Sequence, residues 1–129
     1  MTQSYLEDLF FDQIKNAGIV LPERQYRFAA IATGGIGKGV RDRLKRAGLQ
    51  DWRFDFAYVP IMLAIEVDGG TFLKGKRKGA HSRGWGYEKD RIRDNEAAIL
   101  GWTVLRFTAV MVKDGRALRQ LIRMLKRYK

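Results

Sequence analysis

Apolar side chains at Tyr5, Leu6, Leu9, Phe10, Ile14 and Ala17 recur every three or four residues, and Gly18 stands where a helix would stop. The pattern predicts an amphipathic helix over residues 4–17. After Pro22, residues 25–28 read as a short strand, and the run ATGGIGKG then breaks any period. Residues 39–48 are expected to form a short basic helix or loop that ends at Gly48. Over residues 52–59 the period becomes two, which predicts a strand with Trp52, Phe54, Phe56 and Tyr58 on one face and Arg53, Asp55 and Ala57 on the other. Pro60 punctuates it. Residues 61–67 then form an almost unbroken apolar run, as a buried central strand would, opening through Glu66, Asp68 and two glycines into a basic loop. A helix over about residues 87–100, stopped by Gly101, precedes a strand at 102–107. Thr108 can cap a short turn, and Asp114 a last helix whose apolar stripe is Leu118, Leu121, Ile122 and Leu125.

This order of elements predicts an α/β domain with a mixed sheet of four or five strands flanked by helices. With 129 residues, 46% of them hydrophobic, the chain suits one domain spanning residues 1–129. Residues 29–50 stand apart as a basic, glycine-rich insertion that looks poor in anything to bury.

Composition narrows the chemistry. The absence of cysteine rules out disulfides and thiolate metal sites, and one histidine cannot build an imidazole site alone, so any metal would be held mainly by oxygen. No long apolar run occurs, and the first ten residues are acidic and amphipathic, so no membrane is expected and a cytoplasmic location is. A net charge of +11 points to a polyanionic partner, and nucleic acid is the commonest one. The cations cluster: Lys38, Arg41, Arg43 and Lys45 in one segment, Lys76, Lys78 and Arg83 in another, and a run of arginines and lysines at the end. These first two groups are the expected DNA contacts.

Within this basic chain three acids stand out. Asp55 lies in one strand and Glu66 near the end of the next, and the short Tyr-Val-Pro connection allows the two carboxylates to converge. Glu66 and Asp68 share a face at roughly 6.6 Å, where their repulsion is on the order of 2 to 3 kcal/mol. A divalent cation would relieve it. The plainer alternative is that Asp55 pairs with Arg53 or another surface cation and Asp68 opens a turn before Gly69 and Gly70.

The helix carrying Glu7, the FDF around Asp55, the strand LAIEVDGG and the later NEAAILGWTVLRFT together resemble the PD-(D/E)XK nuclease superfamily. Within it they are most similar to the branch of very-short-patch repair endonucleases and small phage or prophage nucleases. The resemblance implies a restriction-endonuclease-like fold and Mg²⁺-dependent hydrolysis of DNA phosphodiesters, with Mn²⁺ as a substitute. It assigns Asp55 and Glu66 to the metal and Glu7 to a first-helix glutamate found in some members; a backbone carbonyl near Val67 and the neighbouring Asp68 are the further oxygens expected at that ion. The lysine of the E-X-K element is replaced by Asp68; some members carry the lysine on the following helix, so Lys89 there, or a loop arginine, is the expected charge stabiliser. His81 is the expected general acid or base, since that branch also uses histidine in the corresponding loop.

The run ATGGIGKG is a decoy for a nucleotide-binding loop: Ala32 and Gly39 stand where a P-loop needs glycine and a Mg²⁺-binding hydroxyl. No nucleotide cofactor is therefore expected. A non-catalytic DNA-binding module on the same fold is the rival reading, favoured by the missing lysine. Nicking against double-strand cleavage, branched against mismatched DNA, and dimerisation all stay open.

Overall fold

In the computed structural model, which describes residues 3–68 and 86–128, the apolar run of residues 61–67 lies inside a four-stranded sheet. Helix α1 (Gln3–Asn16) precedes strand β1 (Glu23–Tyr26), the short helices α2 (Phe28–Ala32) and α3 (Val40–Ala47), and strand β2 (Phe54–Tyr58). A 3₁₀ turn at Val59–Ile61 leads into β3 (Leu63–Asp68). Helix α4 (Tyr87–Ile99), β4 (Thr103–Thr108), α5 (Ala109–Lys113) and α6 (Arg116–Lys126) follow. The sheet order is β1-β2-β3-β4, antiparallel at the first two junctions and parallel at the third. A parallel pair needs a crossover, and the chain between β3 and β4 carries α4. Gly101, at φ +98, lets the chain leave α4 and re-enter the sheet, a conformation an L-residue rarely adopts.

Each face of the sheet has its own core. On one, Leu6, Phe10 and Ile14 of α1 pack with Phe56, Tyr58, Leu63, Ile65, Val67 and Phe107, and with Val112, Ala117 and Leu121 from α5 and α6. On the other, Phe28, Ala29, Leu44, Phe54, Ala57, Ala64, Ala97 and Trp102 form a second cluster. β3 feeds both, which explains its nearly continuous apolar composition.

Two expectations are corrected. Phe54 does not share a face with Phe56: it stacks on Phe28 at 3.9 Å and meets Trp102 edge-on at 5.1 Å, in the second cluster. Strict alternation fails at the one place where β2 leaves its ladder, described below. The segment at residues 29–50 also has apolar side chains to bury, because Leu44 is 5% exposed and packs with Phe28 and Phe54, while Val40 and Leu49 close over the same cluster. Helices α2 and α3 thus form part of the layer that covers the second face. Among the described residues no helix is long and apolar enough to cross a membrane.

Candidate active site

The β2–β3 pairing runs from Tyr58↔Leu63 to Phe56↔Ile65. One step further, Asp55 and Glu66 would face each other, and there side chains replace the ladder. The Asp55 amide donates to Glu66 Oε2 at 2.9 Å, and the Val67 amide donates to Asp55 Oδ2 at 2.8 Å. The strands part because each carboxylate takes a place a backbone carbonyl would fill. The β1–β2 pairing is interrupted at the same level: Arg24↔Phe56 and Tyr26↔Phe54 pair, while Gln25, opposite Asp55, has a left-handed backbone at φ 52.

Glu7 approaches from α1. It is 7% exposed, buried because it shares the inward face of the helix with Leu6, Phe10 and Ile14, and its Oε1 accepts a 2.8 Å hydrogen bond from Gln25 Nε2. From the opposite side of the sheet, Arg93 of α4 pairs with Glu66 Oε1 and donates to the Arg53 carbonyl at 2.9 Å. Its guanidinium also lies over the rings of Phe54, at 5.8 Å, and Phe28, at 6.0 Å. Arg93 is therefore held in one orientation by the second core.

The electrostatics follow from this enclosure. Burial pushes the Asp55 carboxyl from 3.8 up to about 6; the Val67 amide and Arg93 oppose the rise, and the charges of Glu7 and Asp68 add to it. Burial also raises Glu66, as does the Asp55 charge, while Arg93 pulls it back. Two carboxylates from neighbouring strands, Asp55 and Glu66, thus share a partly dehydrated space with one arginine, and the charges of Glu7 and Asp68 act on Asp55 from outside that pair.

Of the acids singled out from the sequence, Asp55 and Glu66 hydrogen-bond into each other's strands, and the charges of Glu7 and Asp68 act on Asp55. Val67 enters through its amide, and Asp68 is exposed at the end of β3. Lys89 is exposed in the first turn of α4; the side chain that pairs with Glu66 is Arg93, one helical turn later on the same face. Arg93 and Gln25 were missed, and only the i, i+4 spacing from Lys89 could have pointed to Arg93. Lys38, Arg41 and Lys45 are exposed, whereas Arg43 turns inward and donates to the carbonyls of Gly35 and Lys38, both at 2.8 Å, strapping the glycine loop to α3. A side chain at Gly34 would strike it, at 2.9 Å from Arg43 Nε. His81, Lys76, Lys78 and Arg83 lie outside the described residues.

Among the described residues no group of three or more acids or histidines is gathered tightly enough to cage a metal. Mg²⁺ does not require one: it commonly takes one or two carboxylates, keeps several waters and shares a phosphate with its substrate. Two dehydrated carboxylates under mutual repulsion, all of their donors oxygen, fit that mode of binding.

Comparison of the chain with protein-family models, with curated proteins and with solved structures gave no match.

Proposed function

We propose that this protein is a Mg²⁺-dependent endonuclease acting on DNA, with Asp55 and Glu66 as its central carboxylates. The observation that carries the reading is the exchange of Asp55 and Glu66 into each other's backbone ladder, which builds an acidic, dehydrated site inside a chain of net charge +11. Such a site repels DNA unless a cation occupies it, and the rest of the surface attracts DNA.

Asp55 and Glu66 would hold the ion, with Glu7 and Asp68 adding to the negative field. Bound there, Mg²⁺ would supply an activated water and neutralise charge developing on the phosphate. The chain's own contribution is placement. The amides of Asp55 and Val67 fix both carboxylates, and Arg93, anchored on Phe54 and Phe28, orients Glu66 and stands in for the cation that the E-X-K pattern would supply as lysine. The exposed Lys38, Arg41 and Lys45 are proposed to grip the DNA backbone.

The test is incubation of supercoiled plasmid, a four-way junction and single strands with Mg²⁺, Mn²⁺ or EDTA. Cleavage or nicking of at least one substrate with the metal, its absence in EDTA, and a loss of about 100-fold or more in Asp55→Ala and Glu66→Ala are expected. Undiminished cleavage by either folded variant refutes the assignment. A second reading, a non-catalytic DNA-binding module, is favoured by the Arg93–Glu66 pair, which already compensates one carboxylate. It predicts DNA binding without cleavage on every substrate.

A further inference from the structure

We propose that Gln25 is a positioning residue of this site: its side-chain amide and left-handed backbone hold the buried Glu7 carboxylate where the β1–β2 ladder opens opposite Asp55. The inference rests on the nuclease reading and assigns work to a residue that touches neither DNA nor metal in it.

Gln25 is one of two non-glycine residues with positive φ among those described, and it lies within a strand. A residue of this type in the left-handed region costs on the order of 1 kcal/mol, and glycine or asparagine would lower that cost. The surroundings impose the conformation. On one side Arg24 stays in register with Phe56, pairs with Asp8 at 2.6 Å and lies over the Phe11 ring at 5.0 Å. On the other, Tyr26 stays in register with Phe54 and packs its ring against Trp102 at 5.5 Å. With both neighbours fixed, the twist at Gln25 interrupts the ladder opposite Asp55 and sends the amide to Glu7 Oε1 at 2.8 Å.

Arg24 to Asp8 and Gln25 to Glu7 therefore form two consecutive rungs between β1 and α1. The outer rung is exposed and the inner one ends on a buried carboxylate. A glutamate at this depth without a donor would carry a substantial desolvation cost and could turn toward solvent. The amide of Gln25 holds it at the level of the sheet where the ladder opens beside Asp55. The field of Glu7 at Asp55 agrees with that placement.

The experiment uses the full chain with Gln25→Gly and Gln25→Asn, both of which relieve the backbone and neither of which can reach Glu7. Three quantities are read: Tm in EDTA, Mn²⁺ affinity by calorimetry without DNA, and kcat and KM for plasmid nicking. The expected result is a Tm within about 3 °C of the unaltered chain, Mn²⁺ binding weakened about 10-fold, and kcat lowered about 10- to 100-fold at unchanged KM. Should Gln25→Gly fold poorly, Gln25→Asn decides by the same readouts. Unaltered Mn²⁺ affinity and kcat in a folded variant overturn the proposal, as does a rise in KM alone, which would make Gln25 a DNA contact. If the unaltered chain neither binds Mn²⁺ nor nicks DNA, the nuclease reading falls and this inference with it. A competent unaltered chain with insensitive variants overturns the inference alone.

Discussion

Asp55 and Glu66 stand opposite each other where the β2–β3 ladder opens, Glu66 Oε2 accepting the Asp55 amide and Asp55 Oδ2 accepting the Val67 amide. The two acids are thus backbone partners before they are anything else, and their charge is held at a cost. Burial raises Asp55 from 3.8 to about 6, so between roughly pH 4 and 6 the folded protein keeps a proton that the unfolded chain has lost. The stability linked to this proton is complete below about pH 4 and disappears as pH rises through 6. Asp55→Asn keeps an oxygen for the Val67 amide and has no charge to bury. In EDTA at pH 7.5 it should exceed the unaltered protein in stability by about 2 kcal/mol, with no excess near pH 4. Chemical denaturation of both proteins across that range measures the difference, and one that widens toward acid contradicts the assignment.

Arg93 carries a separate prediction. Its side chain is 17% exposed and that of Glu66 12%, so Arg93→Ala leaves a largely buried carboxylate without its cation. A loss of about 2 kcal/mol is expected at neutral pH. Adding Glu66→Gln should return a good part of it, because the amide needs no counter-charge. Arg93→Lys should also fall short, since an ammonium lacks the planar fork that serves Glu66 and the Arg53 carbonyl together. A double-mutant cycle in urea reads the coupling, and simple additivity would show that the pair does not hold the site together.

How much of this could be read from sequence depended on which forces decided each residue. Asp55 and Glu66 were legible because one acid in an alternating strand and one at the end of an apolar run are visible without knowing what packs on them. The choice of Arg93 was not. Lys89, Arg91 and Arg93 share one polar helix start, and Arg91 pairs with Asp94 and lies over Tyr87 while Arg93 turns to Glu66. Tertiary contact makes that selection, and composition does not record it. Gln25 left no trace either, since its left-handed backbone is imposed by Arg24 and Tyr26 on either side. The face of Phe54 was misread for a related reason: period-two reasoning assumes an intact ladder, and the ladder opens at Asp55.

The segment at residues 29–50 was misjudged because, in the helix within it, only Val40 and Leu44 carry the apolar stripe, one turn apart. Leu44 reaches the cluster of Phe28, Phe54 and Trp102. Leu44→Ala should therefore cost about 2 to 4 kcal/mol, and replacing residues 33–48 by a short turn should abolish cooperative unfolding. Thermal melts of both decide the point. A shortened chain that still unfolds in one sharp transition would restore the picture of a dispensable insertion.

The same segment supplies the sharpest test of DNA contact, since its cations divide by geometry. Lys38, Arg41 and Lys45 are exposed, whereas Arg43 is turned into the loop, donating to the carbonyls of Gly35 and Lys38. If the first three neutralise phosphates, each releases close to one counterion on binding, and replacing all three by alanine should lower the log-log salt slope by about 2 to 3. Their exposure means that Tm should hardly move. Arg43→Ala should behave in the opposite way: it frees the loop, lowers Tm by a few degrees, and leaves the salt slope within about one unit. Fluorescence anisotropy on a short duplex between low and moderate salt, beside thermal melts, separates the two classes. A triple variant with an unchanged slope would move the DNA-binding surface away from α3, and the exposed cations of α6, Arg119, Arg123 and Lys126, would be the next to replace.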